Sequence, residues 1–184
     1  DRAADGARPA GEGVIVRLLT AADRAAFRRL RARALAEDPA SFGRTAEEEA
    51  GVERLPMEAS LEAPLPATFL LGAERDGVLV GICGTYQGQT AKTRHTAEVV
   101  SVYVAPEARG LGLGAALIED ALARLARAGI AIAKLSVAEE SDAARRLYER
   151  LGFETYGREP AGYRWQGRDW TLLLMRRELA APSP

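Results

Sequence analysis

Between Val102 and Ala126 the chain reads VYVAPEARGLGLGAALIEDALARLA. A β-branched run stops at Pro106, and three glycines follow at alternate positions, Gly110, Gly112 and Gly114. An amphipathic pattern then begins at once. The first N–H groups of a helix have no partner inside it and sit at the positive end of its dipole. An anion fits there when no side chain stands in the way, and glycine both clears the space and permits positive φ. Strand, glycines and helix together read as a phosphate cradle, with Arg109 at its head able to add a charge-assisted bond. Three further side chains could move protons: Tyr148 on a later helical segment, Glu98 at the start of a strand, and His95, the only histidine. Each also has a plain structural reading: a packed tyrosine at the edge of the core, a solvated strand-end charge, and a polar loop residue.

The elements that must position these groups emerge from periodicity and punctuation. GVIVRLL (Gly13 to Leu19) has strand character. Thr20 with Asp23 resembles a capping box and opens a helix to about Glu37, whose apolar stripe is Phe27, Leu30, Ala34 and Leu35. DPASFG (Asp38 to Gly43) breaks it, Thr45 with Glu48 caps a shorter helix, and Pro56, Pro64 and Pro66 fragment the next stretch of chain. From Thr68 two strands are joined by Asp76-Gly77, a strong hairpin signal. His95 to Ala105 is a further strand. A helix runs from about Gly112 to Arg127 and stops at Gly129; Ile130 to Val137 is a buried strand. Ser141 caps a helix that ends at Gly152, and two strands come after it, near Phe153 to Arg158 and Trp170 to Leu179. Residues 1–12 read as a flexible tail and residues 13–180 as one mixed α/β domain.

GLGLGA formally matches the dinucleotide pattern G-x-G-x-x-A at Gly110, Gly112 and Ala115. The context argues against it: PEAR separates the glycines from their strand, Glu139 comes late for a ribose contact, and a hairpin precedes the motif. A P-loop is excluded because no Gly-Lys-Ser/Thr succeeds the glycines. A different pattern fits. Arg109-Gly110-Leu111-Gly112-Leu113-Gly114 resembles the R/Q-x-x-G-x-G/A motif of the GCN5-related N-acetyltransferases (GNAT family). VSVYVAPEARGLGLGAALIEDAL resembles that family's acetyl-CoA segment throughout, and AARRLYERLGF (Ala143 to Phe153) its usual ending. The resemblance covers nearly all of the chain after the tail.

That resemblance implies a GNAT-like fold, a mixed and mostly antiparallel central sheet flanked by helices. It implies acetyl-CoA as cosubstrate, with no metal. Its pyrophosphate would be held by backbone groups around Leu111, Gly112, Leu113 and Gly114, with Arg109 and Gly110 leading in. The strand Val99 to Val104 would splay from the strand at Leu135, so that backbone groups near Val102, Tyr103 and Val104 take the pantetheine and the thioester carbonyl. Ser141 stands where the family often has Asn, which bears on a secondary pantetheine contact. Acetyl transfer needs a neutral amine as nucleophile, a stabilised oxyanion and a protonated leaving group. The resemblance assigns Tyr148 as the acid; a phenol titrates near ~10, comparable with an alkyl thiol. Glu98 is the candidate to receive the amine proton, directly or through water.

The resemblance implies an acceptor site between the first two helices and the last strands. These here hold Phe42, Glu47, Glu48, Tyr163, Trp165 and Trp170, acids beside aromatic rings suited to a cationic amine of a small molecule or peptide. The plainer reading is that Glu47 to Glu49 complement a helix dipole and that Trp165 and Trp170 pack on the sheet. The remaining composition bounds the partners. The net charge of −1 offers no field for nucleic acid, and no apolar run is long enough to span a bilayer. The single cysteine, Cys83, suits a reducing, cytoplasmic setting. One histidine and one cysteine do not make a structural zinc site. Edge strands leave room for a homodimer without specifying one. Beside the transferase reading stand a non-catalytic acyl-CoA-binding sensor and, disfavoured above, a dinucleotide-binding oxidoreductase.

Overall fold

The computed structural model describes residues 8–9 and 13–180. The expected flexible tail lies outside the described residues, apart from the two-residue strand β1 (Arg8–Pro9). The elements then run β2 (Val14–Leu18), α1 (Arg24–Glu37), α2 (Ala46–Ala50), α3 (Ala59–Glu62), β3 (Phe69–Arg75), β4 (Val78–Gln87) and β5 (Thr96–Val104). After these come α4 (Leu113–Arg127), β6 (Ile132–Ala138), α5 (Asp142–Arg150), β7 (Glu154–Trp165) and β8 (Arg168–Glu178). The strands form one sheet in the order β1-β2-β3-β4-β5-β6-β8-β7, seven of them five residues or longer. Every pairing is antiparallel except β5 with β6.

The local reasons are those the residues suggest. Asp76 and Gly77 both take positive φ, 51° and 77°, as a two-residue hairpin turn requires. Asp23 accepts from the Thr20 N–H at 2.7 Å, although the box opens a single 3-10 turn before α1 proper. Thr45 and Glu48 bond reciprocally, 2.8 and 3.2 Å, at the head of α2. Gly129 and Gly152, at φ 79° and 82°, end α4 and α5. Ser141 occupies the N-cap position of α5, but its side chain makes no cap bond, which corrects the expectation of a serine cap.

One strand is longer than expected. β7 continues past Arg158 to Trp165, through Pro160, because it is the sheet edge, where a missing N–H breaks no ladder bond. Pro160-Ala161-Gly162 forms a bulge there, with Ala161 at φ 53°, and Gln166-Gly167 closes the hairpin to β8. Trp170 is buried in a small cluster with Ala138 and Leu172, while Trp165 stays exposed at the hairpin end.

The sheet is covered by α4 on one part and by α1 on another. Leu117, Ile118, Ala121 and Leu125 of α4 are fully buried, as are Phe27 and Ala34 of α1. The segment between α1 and β3 is locked by charge. Glu58 has no exposed surface; Arg28 holds it in a two-pronged pair at 2.7 and 2.6 Å, and the Leu55 N–H donates to it at 2.6 Å. These bonds hold the Glu58 carboxyl below its ordinary value of 4.5.

A carboxyl held low contributes stability that is complete above the unfolded value and is lost as pH falls through the folded one. Thermal midpoints of Glu58→Gln should therefore lie well below wild type at pH 7, by roughly 1–3 kcal/mol in stability. The gap should close progressively below about pH 4.5. A gap that is constant across that range would show that the charge of Glu58 contributes nothing to the fold.

Candidate functional site

β5 is where the sheet opens. It pairs in parallel with β6 at Thr96↔Ile132, Ala97↔Ala133 and Glu98↔Lys134, and there the pairing ends. Beyond Glu98 the two strands diverge, so the edge of β5 toward β6 has backbone groups without a ladder partner. On the other edge the register with β4 slips by one residue: Gly84 pairs with Val100, but Ile82 with Tyr103. The extra residue is a bulge at Ser101, which takes φ 56°, unusual for a non-glycine residue in a strand.

A charged pair grips the bulge. Arg31 of α1 donates to the Ser101 hydroxyl at 2.8 Å and to Glu49 of α2 through two bonds of 2.7 and 2.6 Å. Both charges are buried, at 7 % and 9 % exposure, and the guanidinium lies 5.5 Å from the centre of the Phe42 ring. Arg31 sits in the apolar stripe of α1, between Leu30 and Ala34. A charge at a stripe position is the legible signal for this group, and the sequence reading passes over it.

Where β5 ends, the chain makes a 3-10 turn at Pro106–Ala108 and enters the glycine loop. Gly110 and Gly112 take φ 79° and 75°, which only glycine adopts readily, and a Cβ at either would meet no protein atom within 4 Å. Gly112 is the N-cap of α4, a helix of 15 residues, and no side chain caps it. The N–H groups of Leu113, Gly114 and Ala115 consequently face outward without helical acceptors. Gly114 has a second duty: a Cβ there would lie 3.2 Å from Leu147 of α5, so it also lets the two helices approach. Ties fix this loop to α1. The Tyr103 hydroxyl donates to Glu37 at 2.5 Å, and Arg33 binds Glu107 at 2.6 and 2.8 Å. Burial and the Glu37 bond push the Tyr103 phenol up to about 12.

Tyr148 comes to the same place from α5. It is buried, at 7 % exposure, with its ring edge-on to Phe153 at 6.0 Å. The Phe153 N–H donates to the Tyr148 carbonyl at 3.0 Å, pinning the end of α5. Among the described residues no side chain hydrogen-bonds the Tyr148 hydroxyl. Burial raises its phenol far above the usual range, with lesser contributions from Cys83 and Asp38.

These features line one cleft of about 1150 Å³. Tyr148, Val102, Tyr103, Val104, Arg109, Gly110, Gly112, Leu113, Gly114 and Ser141 all contribute to its walls. Glu98 and Leu111 do not: both are exposed outside it. Arg109 bends back, its Nε donating to the Val104 carbonyl at 3.0 Å, so that carbonyl is already engaged. On the acceptor side Phe42 and Tyr163 line the cleft. Glu47 and Glu48 are exposed and outside it, serving the head of α2. Asp38, Ser41 and Tyr86 line it as well and escape the sequence reading; DPASFG reads as a plain break, and nothing in its spacing announces a wall.

The family model for the acetyltransferase (GNAT) family matches residues 30–153. The chain belongs to the GNAT acetyltransferase family. Among its relatives, the mycothiol acetyltransferase of Thermobispora bispora is 41% identical over 133 residues, 71% of this chain and 43% of that protein. The N-alpha-acetyltransferase RimI of Mycobacterium tuberculosis is 33% identical over 129 residues, 70% of this chain and 77% of that protein. The chain thus spans less than half the length of the mycothiol acetyltransferases it matches. In structure it resembles yncA of Salmonella typhimurium, solved with its cofactor acetyl-CoA. The TM-score is 0.77 at 25% identity, over 94% of this chain and 98% of that one. A GNAT acetyltransferase from Streptococcus pneumoniae shares the fold at TM-score 0.79 and 22% identity, over 91% of this chain and 99% of that one.

The open strand edge and the uncapped glycine turn fit this family's cosubstrate: a free backbone edge for the pantetheine amides and free N–H groups for the pyrophosphate. The sheet, with one short parallel pairing, does not favour the dinucleotide reading. Gly112→Val puts a β-branched side chain at φ 75° in the turn. Calorimetry should show acetyl-CoA binding weakened by at least about tenfold, the size of a left-handed backbone penalty. An unchanged affinity would mean that the pyrophosphate lies elsewhere.

Proposed function

We propose that this protein transfers an acetyl group from acetyl-CoA to an amine, by direct attack of the amine on the thioester. The observation that supports it best is the meeting, in one cleft, of the open edge of β5, the uncapped start of α4 and the buried Tyr148. In this reading the N–H groups of Leu113, Gly114 and Ala115, with Arg109, hold the pyrophosphate. Taking up the coenzyme requires Arg109 to leave the Val104 carbonyl, which frees it for a pantetheine amide. Backbone groups near Val102 hold the thioester carbonyl. Ser141, without a cap bond, keeps its hydroxyl for the coenzyme.

As the nitrogen–carbon bond forms and the carbon–sulfur bond breaks, Tyr148 gives its proton to the departing thiolate. A phenol raised by burial is a weak acid toward water, but the leaving group stands in the same surroundings. Burial pushes the Cys83 thiol up to about 12, and a thiolate released in the same interior is a correspondingly strong base. The two groups are raised together, so their match persists. Glu98, exposed at the last residue before the strands part, receives the amine proton through water. The mycothiol acetyltransferases and RimI point to the acceptor being a small-molecule amine or a protein N-terminus. The free, buried Cys83 suits a reducing cytoplasm. Among the described residues no helix is long and apolar enough to cross a membrane.

The sensor alternative predicts binding without turnover, and the Tyr148 hydroxyl in the cleft speaks against it. Thiol release from acetyl-CoA across an amine panel separates the two. Tyr148→Phe should lower kcat by about a hundredfold while leaving the acetyl-CoA dissociation constant nearly unchanged. Equal turnover in that variant would remove Tyr148 from the chemistry.

A further inference from the structure

The cleft has five acidic residues in its walls: Glu37, Asp38, Glu49, Glu140 and Asp142. Four are neutralised by arginine. Glu37 pairs with Arg33 at 2.7 Å, Glu49 with Arg31 at 2.6 Å, Glu140 with Arg168 at 2.5 Å and Asp142 with Arg145 at 2.8 Å. Asp38 differs. Among the described residues it has no basic partner; its one side-chain bond is from the Ser41 hydroxyl, at 2.6 Å. It comes directly after the last residue of α1 and is half-buried, with no ion pair to an arginine or lysine among the described residues. The 3-10 turn that follows it, Pro39–Ser41, packs against β6, the strand from which β5 parts. The same cleft is lined by Phe42, Leu55, Met57, Tyr86 and Tyr163, with Arg31 and Arg44 among them.

We propose that Asp38 is the anchor for the acceptor, binding its ammonium group, and that the acceptor carries an apolar, ring-sized body next to that nitrogen. A half-buried carboxylate without an ion-pair partner gains a charge-assisted hydrogen bond from a cation that the substrate brings. Ser41 orients the carboxylate by donating to Oδ2, leaving Oδ1 for the ligand. Once the nitrogen has lost its extra proton, the neutral amine keeps a hydrogen bond to Asp38 while its lone pair turns to the thioester. The aromatic walls take the body of the substrate and add cation–π attraction at the entrance. This inference rests on the transferase reading for the location of the acceptor, but the anchor is a binding site in its own right.

The test is calorimetry of phenethylamine and of its neutral analogue phenethyl alcohol, with coenzyme A in the site, on wild type, Asp38→Asn and Glu47→Gln. Wild type should prefer the ammonium by about tenfold or more, the usual weight of a hydrogen-bonded charge. Asp38→Asn, which still accepts from Ser41, should lose that preference with unchanged coenzyme A affinity and thermal midpoint. Glu47→Gln, an exposed charge outside the cleft, should keep it. A preference that survives Asp38→Asn, or none in wild type, overturns the proposal. Thiol release from acetyl-CoA with phenethylamine is measured in parallel. Ammonium-selective binding that depends on Asp38 leaves the anchor standing even where no amine of the panel releases thiol, the outcome that would refute the transferase reading.

Discussion

The structure turns on the place where β5 and β6 stop pairing. Three parallel pairs join them, and after Glu98↔Lys134 the strands part. A buried backbone amide left without a partner is costly, so a sheet does not open in its middle unless something else meets the exposed edge. On the proposed reading, the amides of pantetheine do so. The rest of the molecule can be understood as keeping that gap open. α4 packs under the β4–β5 side with fully buried leucines, and β8 pairs β6 along seven residues, so each half of the sheet is held by its own neighbours. Neither half can drift across to close the gap.

The bulge at Ser101 turns β5 away from its partner, and its left-handed backbone is unfavourable for serine. Arg31 and Glu49 hold it. Buried ion pairs contribute less to stability than their geometry suggests, because both charges lose water. Their use here is positional: α1, α2 and β5 can meet in one arrangement only, the one that satisfies the guanidinium, the carboxylate and the hydroxyl at once. The same helix, α1, ties the end of β5 and the turn before the glycines through Glu37 and Arg33, so two walls of the cleft share a single support.

The charges around the cleft are arranged to a similar end. Arginines pair with most of its acids, whereas the side-chain partner of Asp38 is the Ser41 hydroxyl. On the proposed reading, burial raises the Tyr148 phenol and the departing thiol together, as it raises the Cys83 thiol, and the two stay matched.

The element order, the hairpin at Asp76-Gly77, the glycine turn and the helix ends are legible in the sequence, because each depends on residues close together in the chain. So is the cradle, since Gly110 and Gly112 carry their positive φ as a local property. β7 reads short because Pro160 is a breaker in a central strand and harmless at an edge, and edge or centre is decided by the order of the whole sheet. Glu47 and Glu48 read either as acceptor groups or, more plainly, as acids at a helix head, and they lie in the first turn of α2, while Asp38 reads as a break and lines the cleft. Local signals cannot sort them all, for an acid's role depends on which arginine reaches it, and some of those arginines come from distant segments: Arg168 to Glu140 spans 28 residues, and Arg31 to Glu49 spans 18. The sequence by itself determined the strand–glycine–helix cradle and the family; only the tertiary structure decided which charges remain unpaired, because pairing is a property of packed neighbours and not of the order of residues along the chain.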